Sequence, residues 1–280
     1  MEKLQLALEK ARQKRQDPEP VASVPVDRPV ARGREERQGF RETAPLWHAL
    51  TPVELDPRLM TKNRVFAPGG GEAATEFDLL RTKALLQMRK NGWRRLGITS
   101  PTMGCGKTTT AANLALGFTR QLDKSVILFE LDMRRPSLSG MLGVRPEHGV
   151  RDLLQGSVDF ARQALRVGDN VALSLSFASS KDSSQLLLRD ATARQIDAIE
   201  SAYQPDLMIF DLPPLLASDD TTAFLKNVDC VLLIAGAEIT TTSQVDTCER
   251  EIAEHTNVLG VVLNKCRFHE EEAGLPYGGY

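Results

Sequence analysis

Tyrosine is scarce in this chain, with three in 280 residues, and aromatic residues together make up only 5%. A core this poor in rings has to be built from aliphatic side chains. Cysteine and histidine are as sparse, four of each. Cys105, Cys230, Cys248 and Cys266 form no C-x-x-C pair and show no metal-ligand spacing, and the histidines are dispersed. This excludes a disulfide scaffold and a structural metal, and it fits a reduced compartment. No apolar run approaches the roughly 18–20 residues that span a bilayer. The opening MEKLQLALEKARQKRQ lacks the apolar centre of a secretory signal, so the expectation is a cytoplasmic protein. A net charge of -2 provides no strong field, and no nucleic-acid partner is expected.

What is present falls into four stretches. In residues 1–16, Leu4, Leu8 and Ala11 share a helical face beside Lys3, Lys10, Arg12, Lys14 and Arg15. That is the pattern of a short basic amphipathic helix, either a docking or membrane-surface element or a frayed solvated tail. Eight of the 15 prolines fall at or before Pro68, and residues 17–71 read as a Pro-rich linker, largely disordered. Within it, PLWHAL (45–50) is an apolar cluster able to pack on the domain or on a partner. From 72 to 270, short aliphatic runs (RLGITS, SVILFELD, DLMIFDLPP, VDCVLLIAGA, VLGVVLNK) alternate with amphipathic helical stretches. Near-continuous aliphatic strands separated by helices predict an α/β fold, a mostly parallel sheet with helices on both faces. Residues 271–280 read as a flexible tail holding two of the three tyrosines, Tyr277 and Tyr280.

The chemistry starts at SPTMGCGKTTT (100–110), placed between an aliphatic strand and a helix. Gly104, Cys105, Gly106, Lys107, Thr108 and Thr109 make up the back half of a phosphate-binding loop. The glycines let backbone N–H groups turn toward phosphate oxygens, the lysine reaches the terminal phosphates, and the threonine hydroxyl joins Mg²⁺. The usual leading glycine is replaced by Pro101, and the strand–loop–helix frame carries the assignment. Two later strands end in acids: FELD places Glu130 and Asp132, and MIFD places Asp211, at the carboxyl edge where open α/β sheets bind ligands. Carboxylates there hold Mg²⁺ directly or through water. ATP and Mg²⁺ are the expected cofactors, with Thr108, Asp132 and Asp211 as metal residues.

TSPTMGCGKTTTAANLA, VILFELDMRRPSL and IFDLPPLLASDD, in that order, resemble the P-loop, A′ and B motifs of bacterial tyrosine autokinases of capsule and exopolysaccharide systems. The resemblance runs over about residues 72–280. It implies a P-loop NTPase that moves the γ-phosphoryl group of ATP to tyrosines in a neighbour's C-terminal tail, here Tyr277 and Tyr280. Lys107, Glu130, Asp132 and Asp211 would be the catalytic set, and Asn264 matches a position that contacts adenine in related ATPases. It further implies a homo-oligomer and a membrane polysaccharide co-polymerase or chain-length regulator as partner, which would recruit the protein to the inner face of the membrane.

The chain departs from the family pattern in three places. Glu130 stands where Asp is usual, Cys105 stands where Glu is frequent, and Thr75, Asp78 and Arg81 stand at the places of a Glu and two Arg used in ring assembly, with Glu76 one place off. Two alternatives therefore stay open. One is an ATP-binding assembly switch or pseudokinase of the same pathway. The other is a partitioning-type positioning ATPase, against which Thr102 counts, because that position is a lysine in those relatives. Arg134 and Arg135 read as phosphate or subunit contacts or as solvated cations, Asp219 as a helix N-cap, and Tyr203 as a packing residue.

Overall fold

The aliphatic runs become strands because β-branched and other apolar side chains suit a pleated surface buried on both sides. A computed structural model describes residues 43–176, 178–180 and 182–266. Its strands are β1 (Thr51–Pro52), β2 (Arg95–Thr99), β3 (Val126–Glu130), β4 (Leu165–Val167), β5 (Val171–Ser174), β6 (Leu207–Asp211), β7 (Cys230–Gly236) and β8 (Asn257–Asn264). They form one sheet in the order β1-β4-β5-β3-β6-β2-β7-β8. From β5 to β8 every pairing is parallel, whereas β4 pairs antiparallel to β5 and β1 runs parallel to β4. The expected mostly parallel sheet is what the chain forms.

β3, β6 and β7 are buried along their whole length, and alternate residues feed two separate cores. Ile127, Phe129, Met208, Phe210, Val231 and Leu233 enter one. Val126, Leu128, Leu207, Ile209, Cys230 and Leu232 enter the other. Helices therefore cover both faces. Tyr203 packs as expected, edge-on to Phe160 at 4.8 Å and to Trp47 at 6.0 Å.

The described part of the supposed linker is folded, which corrects the expectation of disorder for residues 43–71. Residues 43–49 are helical. Trp47 is fully buried, and its indole N–H donates to the Tyr203 carbonyl at 3.0 Å. Pro57 opens the helix Pro57–Lys62 with Asp56 as its N-cap, so this proline marks an element start and does not interrupt one. Residues 64–67 are held by the buried Asn113. Its Oδ1 accepts from the N–H of Phe66 (2.8 Å) and Ala67 (3.0 Å), and its amide nitrogen donates to the Arg64 carbonyl at 2.9 Å. Composition alone misread the stretch because a few apolar anchors decide its fate. The expected helix at 1–16 and the tail at 271–280 lie outside the described residues.

The helix Thr75–Asn91 stops at Gly92, whose φ is 71°, a left-handed conformation that glycine adopts without strain. On this helix Arg81 is turned inward, ion-paired to Asp78 at 2.8 Å and set over the Phe118 ring at 5.5 Å. Asp78 also receives Arg120 at 2.7 Å. The two charged positions of the altered assembly motif are thus engaged inside the chain. Among the described residues no helix is long and apolar enough to cross a membrane.

Candidate nucleotide site

β6 lies between β3 and β2, so the loops after all three strands open on one edge of the sheet. The register pairs Asp211 of β6 with Glu130 of β3 and with Ile98 of β2. The loop after β2 then has to turn sharply into the helix Lys107–Leu116. Gly104 and Gly106 supply that turn with φ of 81° and 96°. At Gly106 that left-handed backbone would strain any side chain, and an added methyl group would also meet the Asn264 carboxamide.

The loop is held from two sides. Asn264 donates to the Cys105 carbonyl at 2.8 Å, and Thr240 sits 3.5 Å from the Cys105 sulfur. On the other side, Leu215 N–H donates to the Ser100 carbonyl at 2.8 Å and Leu216 N–H to the Pro101 carbonyl at 3.2 Å. Thr99 and Thr221 both donate to the Pro213 carbonyl at 2.6 Å. The P-loop and the segment after Asp211 are thereby one stitched unit.

Lys107 is buried, and its ammonium lies 2.8 Å from Asp132 Oδ2 and 3.4 Å from Asp211 Oδ1. It also donates to the Thr108 hydroxyl at 3.1 Å. Burial works to lower the Lys107 pKa, but the charges of Asp211 and Asp132 outweigh it and the net direction is up. Burial raises the pKa of the fully enclosed Asp211, with Lys107 and Thr108 pulling the other way. Asp211 Oδ2 is buried without a hydrogen-bond partner. An orphan carboxylate oxygen beside a threonine hydroxyl and a second carboxylate is a donor set that fits Mg²⁺. That ion characteristically takes one or two protein carboxylates and completes its shell with water and substrate phosphates. Lys107, Thr108, Asp132 and Asp211 are therefore brought together as the sequence motifs imply.

Glu130 is not part of that cluster. Its Oε1 accepts from the N–H groups of Ser137 (2.6 Å) and Leu138 (2.7 Å), and its Oε2 accepts from Ser176 at 2.9 Å. Both oxygens accept backbone amides and tie the loop after β3 to the loop after β5, a structural role that the sequence did not suggest. Burial pushes the Glu130 pKa up to about 7, against the lowering effect of the three amides. A raised carboxylate pKa adds stability that is fully present below the unfolded value of 4.5. It is lost as pH rises through 7. The shift corresponds to roughly 3 kcal/mol. Glu130→Gln is expected to flatten the fall in denaturant midpoint between pH 4.5 and 7.5; an unchanged fall would show that another group titrates.

Asn264 meets the P-loop backbone, so it holds the loop in shape. Cys105 is a buried part of the loop, and Thr109 lies on the first turns of its helix, accepting through its carbonyl from Asn113 at 2.9 Å. Arg134 is engaged by Asp219 and Asp220. Ser218 is the N-cap where Asp219 was expected, because the Ser218 hydroxyl accepts from the Asp220 N–H at 3.2 Å. Asp220, wholly buried, and Asn113 were not singled out by sequence, since neither belongs to a local motif. Tyr277 and Tyr280 lie outside the described residues.

The model of the CobQ/CobB/MinD/ParA nucleotide binding domain matches residues 96–275. EpsB of Ralstonia solanacearum is 31% identical over 241 residues, covering 82% of this chain and 31% of that protein. The chain thus spans under a third of that curated relative's length. The kinase domain of the Escherichia coli tyrosine kinase ETK superposes with a TM-score of 0.64 at 25% identity, covering 74% of this chain and 80% of the domain. Cobyrinic acid a,c-diamide synthase of Mycobacterium smegmatis, solved with an ATP analogue and magnesium, shares the fold. Its TM-score is 0.53 at 24% identity, over 61% of this chain and 74% of that one.

Proposed function

We infer the activity from what the chain is: it belongs to the CobQ/CobB/MinD/ParA nucleotide-binding domain family. We propose that it is the ATP-dependent kinase part of a tyrosine autokinase acting in exopolysaccharide or capsule production. The observation that carries this is the buried Lys107 bracketed by Asp132 and Asp211 at the carboxyl edge of the sheet, in a fold shared with the ETK kinase domain. The P-loop amides and Lys107 hold the β- and γ-phosphates, and Thr108 with Asp132 and Asp211 holds Mg²⁺. When bound, that ion neutralises charge on the phosphates.

The tyrosine oxygen then forms a bond to the γ-phosphorus as the bond to the β–γ bridging oxygen breaks, and ADP leaves. The phenol proton passes to a carboxylate. Asp132 is the more accessible of the two, with its side chain 10% exposed against 1% for Asp211. The acceptors are Tyr277 and Tyr280 of a neighbouring copy, and a membrane co-polymerase is the partner that recruits the chain to the cell membrane.

The sequestration of Glu130 favours a second reading, an ATP-binding assembly switch of the same pathway that transfers no phosphate. Labelling with γ-phosphate-labelled ATP in the presence of the partner's cytoplasmic segment separates the two. Tyrosine labelling that falls at least tenfold in a Tyr277→Phe, Tyr280→Phe double variant supports the kinase. MgATP binding with no phosphotyrosine supports the switch. Equal labelling of wild type and the double variant excludes the tail as acceptor.

A further inference from the structure

The loop that carries Asp132 is gripped from outside the site by residues with no part in the proposed chemistry. Ser180 N–H donates to the Met133 carbonyl at 2.8 Å, and Ser179 donates to the Arg134 carbonyl at 3.0 Å. The Arg134 guanidinium then crosses to the segment that follows Asp211. Its Nε reaches the two Asp220 oxygens at 3.2 and 3.1 Å, and its Nη2 reaches Asp220 at 3.0 Å and Asp219 at 3.2 Å. Asp220 is wholly buried while the Arg134 side chain is 41% exposed, so the carboxylate is the fixed end of the pair. The Ser183 hydroxyl orients it further, donating to Oδ2 at 2.5 Å. A bidentate guanidinium–carboxylate contact sets direction as well as distance.

These bonds close a ring. Asp211 leads through Pro213 and Leu215, stitched to the P-loop, to Asp220. Asp220 leads to Arg134, two residues from Asp132, and Asp132 returns to Lys107. We propose that Arg134 and Asp220, with Ser183 behind them, are positioning residues that set the separation of Asp132 from Asp211 and thereby the affinity for the Mg²⁺-bound nucleotide. The proposal rests on the reading of those two aspartates as the metal–phosphate carboxylates. A lysine at 134 would keep the charge and lose the fork.

The full chain is titrated with a fluorescent ATP analogue, first in EDTA and then at fixed nucleotide with increasing MgCl₂. Asp220→Asn and Arg134→Lys are each expected to leave the affinity in EDTA unchanged. Each should raise the half-saturating Mg²⁺ concentration about tenfold, the scale on which outer-sphere changes alter a metal site. The double variant should be no worse than the weaker single, since both break one link. Thermal melts accompany each protein. Should Asp220→Asn fail to fold, the half-exposed Arg134→Lys carries the same test. An unshifted Mg²⁺ dependence, strictly additive effects, or an equal loss of affinity in EDTA overturns the latch. A wild-type chain whose nucleotide affinity ignores Mg²⁺ overturns the reading of the site itself.

Discussion

Replacing Lys107 with methionine is expected to weaken ATP-analogue binding and any phosphoryl transfer by at least about 10²–10³-fold, the cost of deleting one preorganised charge-stabilising group. The same change is expected to destabilise the unliganded protein. Methionine fills similar volume but leaves Asp132 and Asp211 facing each other without the cation that lies 2.8 and 3.4 Å from them. Removing one partner of a buried ionic cluster typically costs about 3–5 kcal/mol. The loss should shrink as pH falls, because the Asp211 pKa is already raised by burial and removing Lys107 takes away a charge that lowers it. Isothermal titration with nucleotide and chemical denaturation at pH 5 and pH 8 check both parts. Near-wild-type binding in a folded variant would show that Lys107 does not face the nucleotide.

Asp211→Asn should move stability and function in opposite directions. The carboxylate is wholly buried, one oxygen lacks a partner, and burial raises its pKa, so its charge is a liability to the empty fold above the normal carboxylate range. Asparagine has the same shape without that charge, and Lys107 keeps Asp132 as its ion-pair partner. The melting temperature at pH 7–8 should stay level or rise by a few degrees, whereas Mg²⁺-dependent nucleotide binding and turnover should drop about 10²-fold or more. Such a trade is expected where a site is kept charged for chemistry at the expense of packing. A lower melting temperature with unchanged Mg²⁺ dependence would assign Asp211 a purely structural role.

The two substitutions complement the latch between Arg134 and Asp220. On the proposed reading Lys107 and Asp211 would touch the nucleotide or its ion, so their loss is expected to reduce binding outright. The latch acts one layer out, so its loss shifts the Mg²⁺ requirement. Together with Glu130, which ties the loop after β3 to the loop after β5, these residues make the acidic rim a braced structure.

The P-loop, the strands and the helix-covered parallel sheet were legible from sequence because their determinants are local. Gly104 and Gly106 meet a backbone demand within the loop itself, and VILFE and LMIFD are apolar on both faces of a strand. Asp132 and Asp211 could be placed at one edge because parallel strands present their carboxyl ends together. Which way the neighbouring Glu130 turned could not be read, since Asp and Glu carry the same charge and only the amides of Ser137, Leu138 and Ser176 fix its direction. Trp47 lies 156 residues from the carbonyl it binds, and Asn264 lies 159 from Cys105. A local pattern holds no information about partners so far along the chain. The sequence by itself thus determined the nucleotide loop, the acidic strand ends and the α/β class. Only the tertiary structure decided that residues 43–71 fold onto the domain, that Glu130 braces two loops, and that Arg134 and Asp220 join the two sides of the site, because each depends on surfaces that meet only after the chain has closed.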